Sequence, residues 1–223
     1  MTEDLSTPGR LLFPEYPSLA GMYEREVRGL TQGQLDTRQP EKSWGKWSIR
    51  EQVSHTAYVN YRWFLDNWGE ILFGKNFPRD PSLTDTGGRD RLMNPDRFHE
   101  LPDLLAAAKD GFSLGWEILE RETLGSMRKK IKSRQIPKDT RWPSGDTLRD
   151  WTENVLLKVH PTGYWRDENN PDLFHYDLEY TFRHVLWEAY AHLKTIQEHK
   201  RALGLPIRNE IPEAGYLKIL NWE

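Results

Sequence analysis

Residues 178–203, LEYTFRHVLWEAYAHLKTIQEHKRAL, decide the fold class of this chain. When they are placed at helical steps of about 100°, the apolar side chains fall on one face of a helix. Glu188, His192 and His199 line one border of that face, where we expect a polar side chain to be half buried and to face a cleft. Gly204 follows and predicts the end of the helix. The apolar face consists of Leu178, Phe182, Val185, Leu186, Ala189, Leu193 and Ile196.

Three further long segments carry helical signals, and few stretches alternate in the manner of a strand. Ser48 is a predicted N-cap, with Glu51 at the capping-box position. The pattern predicts an all-α fold, a four-helix bundle with long crossover connections and one extra short helix. We expect a single domain over residues 1–223, with a core at about 16–203 and a C-terminal tail at 204–223. The long helices are predicted at about 16–35, 48–73, 102–131 and 172–203, the short one at 147–159, and the loops at 75–99, 133–146 and 160–171.

The composition excludes several classes of site and partner. The 223 residues contain no cysteine, which excludes disulfides, cysteine-based zinc sites and thiol nucleophiles. The net charge of −3 argues against nucleic acid as a partner, because a duplex-binding domain usually carries a basic surplus. No apolar run approaches the length of a membrane span, and the first residues do not resemble a signal peptide. We therefore expect a cytoplasmic protein that binds no membrane.

Without cysteine, a metal site must be built from histidine and carboxylate side chains. Glu188 and His192 lie four residues apart, so both side chains can reach one ion from the same face of the last helix. The spacing alone is a weak signal, because such pairs arise by chance and usually form an ion pair or a solvated face. The chain also contains Glu51/His55 and His184/Glu188 at the same spacing.

His55 lies on a polar strip of the second helix, together with Tyr58 and Arg62. Two interpretations of this strip remain open. It is either a solvated surface or the polar lining of a pocket within the bundle, since the rest of the helix is apolar nearly all round. The sequence contains neither His-Glu-x-x-His nor Glu-x-x-His, which argues against a helix-borne zinc protease site and a ferritin-like di-iron site.

Three short motifs, taken in order, resemble one family. They are GLTQGQL at residues 29–35, WSIREQVSH at 47–55 and LWEAYAHLKTI at 186–196. Together they resemble the DinB-like superfamily of four-helix bundles, over about residues 29–203. The resemblance implies a metal ion bound by His55, Glu188 and His192. Many members have histidine where this chain has Glu188, although the mycothiol-dependent maleylpyruvate isomerase branch also has a glutamate there.

The resemblance also implies a class of chemistry. Two imidazoles and one carboxylate leave a divalent ion with a net charge of about +1 and open positions for water or substrate. Zinc and nickel are the expected ions, because imidazole suits both. Family members with known chemistry use low-molecular-weight thiols, as S-transferases or isomerases, and others are described as metal-dependent hydrolases. We expect a small-molecule substrate, and a low-molecular-weight thiol is the further cofactor that fits.

Three neighbouring residues are candidates for supporting roles. His184, one turn before Glu188, is predicted to hydrogen-bond to Glu188 rather than to bind the ion. Tyr58 and Arg62 share the strip of His55 and are candidates for orienting an anionic substrate, although an exposed face explains them equally well. The resemblance assigns no catalytic residue.

Two hypotheses from different classes follow. The first is a metal-dependent S-transferase or hydrolase of the DinB-like type. The second is a non-catalytic helical binding or scaffold bundle, in which the three residues form a buried polar cluster and an aromatic-lined groove binds a peptide or a second subunit. A homodimer through an exposed aromatic face fits both hypotheses.

Overall fold

The structure, a computed structural model, describes residues 3–142, 145 and 147–223. Helix accounts for 53% of the described residues and a small three-stranded sheet accompanies it, so the all-α expectation is confirmed in its coarser form, a mostly helical protein. In chain order the elements are α1 (Gly9–Leu12), α2 (Tyr16–Val27), α3 (Gln32–Asp36), α4 (Ile49–Tyr61), α5 (Gly69–Phe73), α6 (Leu101–Leu119), α7 (Leu124–Lys129), β1 (Ile131–Gln135), α8 (Leu148–Trp151), α9 (Leu157–Val159), β2 (Tyr164–Arg166), β3 (Leu173–Asp177) and α10 (Leu178–Ala202).

The chain forms two compact units. The sheet unit comprises Met1–Pro14 and Glu117–His184, and the helical unit comprises Glu15–Trp116 and Val185–Glu223. Helix α10 therefore contributes its first residues to the sheet unit and the remainder to the helical unit. Within the described part of the chain, no helix has the length and apolar character needed to cross a membrane.

The predicted N-terminus of the second helix is confirmed. The Ser48 hydroxyl accepts a hydrogen bond from the backbone N–H of Glu51 at 3.3 Å, and the Glu51 carboxylate accepts one from the backbone N–H of Ser48 at 2.9 Å. This reciprocal pair satisfies two of the amides that open α4. After α4 the chain continues through a π-helical turn, Arg62–Asn67, and then α5, which ends before Gly74 at a φ of 60°.

The first predicted helix, at about 16–35, is in fact two helices. α2 ends at Val27, and Gly29 adopts a φ of 79°, which turns the chain out of the helix. Thr31 then starts α3 with its own capping box, in which its hydroxyl accepts from the backbone N–H of Gln34 at 3.3 Å. A new cap therefore divides a segment that helical periodicity alone would have continued.

Close helix contacts organise the core of the helical unit. The hydroxyl of Tyr23 in α2 donates to the backbone carbonyl of Ala189 in α10 at 2.8 Å and lies 2.9 Å from the hydroxyl of Thr56 in α4. α6 approaches α4 closely at Gly111, where an added Cβ would lie only 2.7 Å from Cβ of Asn60. Glycines that weaken the helical signal of the sequence thus mark positions of close packing.

The C-terminal tail predicted at 204–223 packs on the helical unit. Asn209 donates a side-chain hydrogen bond to the backbone carbonyl of Met22 at 2.9 Å. Tyr216 is 1% exposed, and its ring meets the ring of Trp187 edge-on with a centroid distance of 6.1 Å. These residues therefore belong to the folded unit.

The sheet unit contains antiparallel strands in the order β1-β3-β2. His175 at the centre of β3 pairs with Ser133 of β1 and with Trp165 of β2. The short helix predicted at 147–159 is confirmed as α8 and α9, joined by a π-helical turn at Thr152–Leu156.

Two predicted helix ends are wrong because they extend into this sheet. The third helix, predicted to 131, ends at Leu119; Thr123 then caps α7, and Ile131 begins β1. The last helix, predicted from 172, begins at Leu178, because the preceding five residues form β3. β1 is polar and mostly exposed, so its sequence carries no alternating signal. The loop predicted at 133–146 contains the end of β1, and the loop predicted at 160–171 contains all of β2; residues 143, 144 and 146 lie outside the described residues.

Asp177 gives the sheet unit a pH-dependent stability that can be measured. Its carboxylate accepts from the backbone N–H of Tyr180 at 2.7 Å at the start of α10, and burial raises the pKa of Asp177 to about 6. The unfolded value is about 3.9, so the folded protein binds the proton more tightly. The free energy of unfolding should therefore fall as the pH rises from about 4 to about 6.

The variant Asp177→Asn keeps a hydrogen-bond acceptor at the cap and removes this ionisation. We expect the difference in unfolding free energy between variant and wild type to grow in favour of the variant across the same pH window, in urea titrations. Parallel curves for the two proteins would contradict this assignment.

Candidate metal centre

α4 and α10 bring two predicted ligands together. The imidazole rings of His55 and His192 have centroids 4.5 Å apart and are inclined by 59°. His55 is 5% exposed. At this residue, the polar strip of the second helix is therefore buried within the protein and is not a solvated surface. His192 is partly buried. The two rings are therefore close neighbours inside the helical unit.

The ring of His55 is oriented by a backbone carbonyl. Its Nδ1 lies 2.7 Å from the carbonyl oxygen of Arg91. Because a carbonyl oxygen only accepts, Nδ1 must carry the hydrogen, and a neutral ring then has its lone pair at Nε2. Among the described residues, Arg91 is the only non-glycine residue with a positive φ, at 56°. Such a conformation is costly, and its occurrence at the partner of His55 fits a local functional constraint.

The ring of His192 is oriented in the same way by a side chain. Its Nδ1 lies 2.6 Å from Oε1 of Gln52, one helical turn before His55. The amide nitrogen of Gln52 donates to the backbone carbonyl of Trp47 at 3.3 Å, which leaves Oε1 facing the imidazole. His192 therefore donates from Nδ1, and its Nε2 carries the lone pair when the ring is neutral.

Trp47 shields the pair from one side. Its ring centroid lies 4.6 Å from that of His55 and 6.1 Å from that of His192. The guanidinium group of Arg91 lies 5.1 Å from the centroid of the Trp47 ring, in cation–π geometry. The indole ring thus limits the access of water to the imidazoles and holds a cationic side chain nearby.

The environment keeps His192 neutral and makes Glu188 easy to protonate. Burial, followed by the neighbouring His55 and Arg91, holds the pKa of His192 well below its usual range. Burial raises the pKa of Glu188 to about 7, against an opposing effect of the charge on Arg91. Neutral imidazole is the form that binds metal ions, and a carboxylate in a poorly solvated position gains most from a nearby cation.

Glu188 lies one turn before His192 on α10, as the sequence spacing requires. Over the part of the chain that the structure describes, however, no group of three or more His, Asp and Glu side chains is already arranged to hold a metal ion. The structure therefore brings together the two imidazoles of the predicted set. Joint ligation by Glu188 stays a prediction.

The predicted supporting residues differ in burial and in their contacts. His184 is buried in the sheet unit, where its ring stacks on Tyr180 at a centroid distance of 5.4 Å; its hydrogen bond to Glu188 stays a prediction. Tyr58 is partly buried, and burial raises the pKa of its hydroxyl. Arg62 is exposed and forms an ion pair with Asp66, so an exposed face accounts for it as the sequence allowed.

Three contributors to the centre were not singled out from the sequence: Trp47, Gln52 and Arg91. Trp47 and Gln52 belong to the motif at residues 47–55, where Gln52 stands one turn from both Ser48 and Thr56 with no feature that marks it as the partner of a distant histidine. The contribution of Arg91 comes from its backbone carbonyl, which no side-chain pattern can reveal.

Comparison of the chain with models of known protein families, with curated proteins and with solved structures finds no match.

Proposed function

We propose that His55, His192 and Glu188 bind one divalent metal ion, and that the protein is a metal-dependent enzyme of the DinB-like type. The reaction we propose is thiol transfer or metal-assisted hydrolysis on a small molecule. The observation that carries this proposal is the arrangement of the two neighbouring imidazoles, each with its Nδ1 atom hydrogen-bonded to an oxygen.

This arrangement supports a metal site because it leaves the lone pair of each neutral ring on Nε2, where it can bind an ion. Histidines that bind metals almost always donate their second ring N–H to a carbonyl, an amide or a carboxylate oxygen, which fixes the tautomer and the ring plane. The carbonyl of Arg91 and the amide of Gln52 supply these acceptors here. A pair of core histidines without a ligand has no need for both Nε2 atoms to carry a lone pair.

Glu188 is the proposed third ligand. Its side chain has several rotatable bonds, and the proposal requires a rotamer that brings the carboxylate to an ion held by the imidazoles. The ion offsets the cost of keeping this carboxylate charged in a poorly solvated position, where burial raises its pKa to about 7. One carboxylate and two neutral imidazoles suit zinc or nickel.

The chain's own residues orient the ligands and control solvent. Gln52 and the Arg91 carbonyl hold the ring planes, and Trp47 restricts water at one side of the pair. When bound, the ion supplies a Lewis acid that activates water or a thiol as a nucleophile. In this proposal α2, α4, α6 and α10 correspond to the four helices of the DinB-like bundle.

Gln52 provides a test of the orienting role. The variant Gln52→Ala removes the acceptor of the His192 Nδ1–H, and we expect zinc affinity to fall roughly 10–100-fold. The matched variant Gln52→Glu keeps an acceptor oxygen and should retain most of the affinity. Competition with a chromophoric zinc chelator measures both. If the alanine variant binds zinc as tightly as wild type, Gln52 does not orient a ligand.

The direct test is the metal content of the purified protein and its thermal response to zinc and nickel. The proposal predicts about one ion per chain and a raised melting temperature. Protein that holds no stoichiometric ion and shows no thermal shift with either metal would favour the non-catalytic scaffold hypothesis.

A further inference from the structure

A cavity of about 620 Å³ lies within the helical unit, beside the first turns of α4. Ser48, Glu51 and Ser54 line it from α4, and residues 89–99 form much of the opposite wall. None of the three proposed metal ligands belongs to its lining. Its volume is in the range of about 300–1,000 Å³ that small-molecule sites occupy.

The charges around the cavity do not cancel. Arg38, Arg50 and Arg89 line it together with the carboxylates of Asp36 and Glu51. Three guanidinium groups thus face two carboxylates, which leaves a surplus of one positive charge. The N-terminus of α4, which opens at Ser48, adds a partial positive charge on the same side.

Two of the three arginines each form a two-point pair with a carboxylate. Arg50 donates to both carboxylate oxygens of Asp36, at 2.6 and 3.1 Å, and to the backbone carbonyl of His99 at 3.2 Å. Arg38 forms a two-point pair with Glu51, at 2.9 and 2.5 Å. Both guanidinium groups have partners that fit their planar geometry, so neither needs an external anion.

Arg89 carries the positive charge that the carboxylates of the lining do not balance. Within the described structure, the one hydrogen bond of its side chain runs 3.3 Å to Oε1 of Glu51, the same oxygen that Arg38 holds at 2.5 Å. Two guanidinium groups thus share one carboxylate oxygen, and Arg89 has the longer contact. Its side chain is 49% exposed, so most of its donors remain available to a molecule that enters the cavity.

One part of the lining is apolar. Leu92 and Met93 are buried at 5% and 2% exposure, and Phe98 and Leu104 complete this wall. The hydroxyl of Ser54 holds the wall in place by accepting from the backbone N–H of Met93 at 3.0 Å. A molecule that fills the cavity therefore meets a cation at the rim and hydrocarbon further in.

We propose that this cavity binds a small organic acid anion, with its charged group on Arg89 and an apolar body against Leu92, Met93 and Phe98. A guanidinium fork recognises a carboxylate or a similar oxyanion through paired hydrogen bonds. The proposal does not rest on the candidate metal centre, since none of the three proposed ligands lines the cavity.

Three naphthalene derivatives of similar shape test the charge preference: naphthylacetate, naphthylethanol and naphthylethylamine. Isothermal titration calorimetry is performed on full-length protein treated with EDTA, so that no ion can bind the acid. We expect naphthylacetate to bind roughly tenfold more tightly than the alcohol, and the ammonium compound to bind most weakly. Added salt should weaken binding of the acid, because the rim is exposed.

Arg89→Gln should remove the preference for the acid over the alcohol, whereas Arg89→Lys, which keeps the charge without the fork, should reduce it in part. Arg201→Gln is the matched control, since Arg201 is similarly exposed and paired with Glu198 on α10. Phe98→Ala should lower the affinity for the acid and for the alcohol by similar factors. Equal affinity for acid and alcohol in wild type, an unchanged preference in Arg89→Gln, or no binding of any probe would overturn the proposal.

Discussion

His55→Ala and His192→Ala are each expected to abolish tight zinc binding. Loss of a ligand removes a metal–nitrogen bond, so the affinity should fall by more than the roughly 10–100-fold that loss of a supporting residue costs. At free zinc about 100-fold above its dissociation constant, wild type gains about 2.7 kcal/mol, which raises the melting temperature of a chain of this size by roughly 5–10 °C. Both variants should lose this rise.

His99→Ala is the control, because His99 is exposed and lies outside the centre. It should bind zinc like wild type. The variants His55→Gln and His192→Gln guard against a loss of folding, since glutamine retains a side-chain donor of similar length. A variant that unfolds like metal-free wild type and still binds one zinc ion tightly would show that the altered histidine is not a ligand.

Glu26→Ala is expected to lower the free energy of unfolding by about 3–5 kcal/mol. Glu26 is fully buried, and its Oε1 accepts from Nζ of Lys200 at 2.6 Å, while Oε2 accepts from the side-chain amide of Asn209 at 2.6 Å. Lys200 Nζ also donates to the backbone carbonyl of Glu26 at 2.7 Å. Removal of the carboxylate leaves a buried ammonium group without its counter-charge, and the desolvation cost of that charge is no longer offset.

The ion pair of Lys194 with Glu198, also at 2.6 Å, is the matched comparison for this buried pair. The side chain of Lys194 is 27% exposed, so water screens its charge, and Lys194→Ala should cost less than about 1 kcal/mol. Urea unfolding at neutral pH measures both variants. Equal costs for Glu26→Ala and Lys194→Ala would contradict the role assigned to the buried pair.

Local signals in the sequence predict the start of α4 well and the sheet poorly. The capping box of Ser48 and Glu51 depends only on residues within one turn, so the sequence contains the whole interaction. β1 gains its structure from β3, more than 35 residues later, and its polar residues Lys132 and Arg134 give no local preference for a strand. Thr123 likewise starts a new helix inside a segment that periodicity treats as continuous.

The candidate metal centre shows the same division between local and distant interactions. The spacing of Glu188 and His192 is readable along one helix, and it is common enough to mean little alone. The approach of His55 to His192 follows from the packing of α4 and α10, and its burial depends on the chain around Arg91, so periodicity on α4 leaves open whether His55 is solvated. In the sequence, it is the resemblance to the DinB-like motifs that links His55 with Glu188 and His192.

The most direct measurement of the central claim is anomalous X-ray diffraction at the zinc absorption edge from crystals grown with zinc. Our account predicts one strong peak at about 2.0–2.1 Å from Nε2 of both His55 and His192, with an oxygen of Glu188 at about 2.0–2.2 Å. A fully loaded crystal without a peak between these two rings, or with its zinc bound by other side chains, would contradict the account.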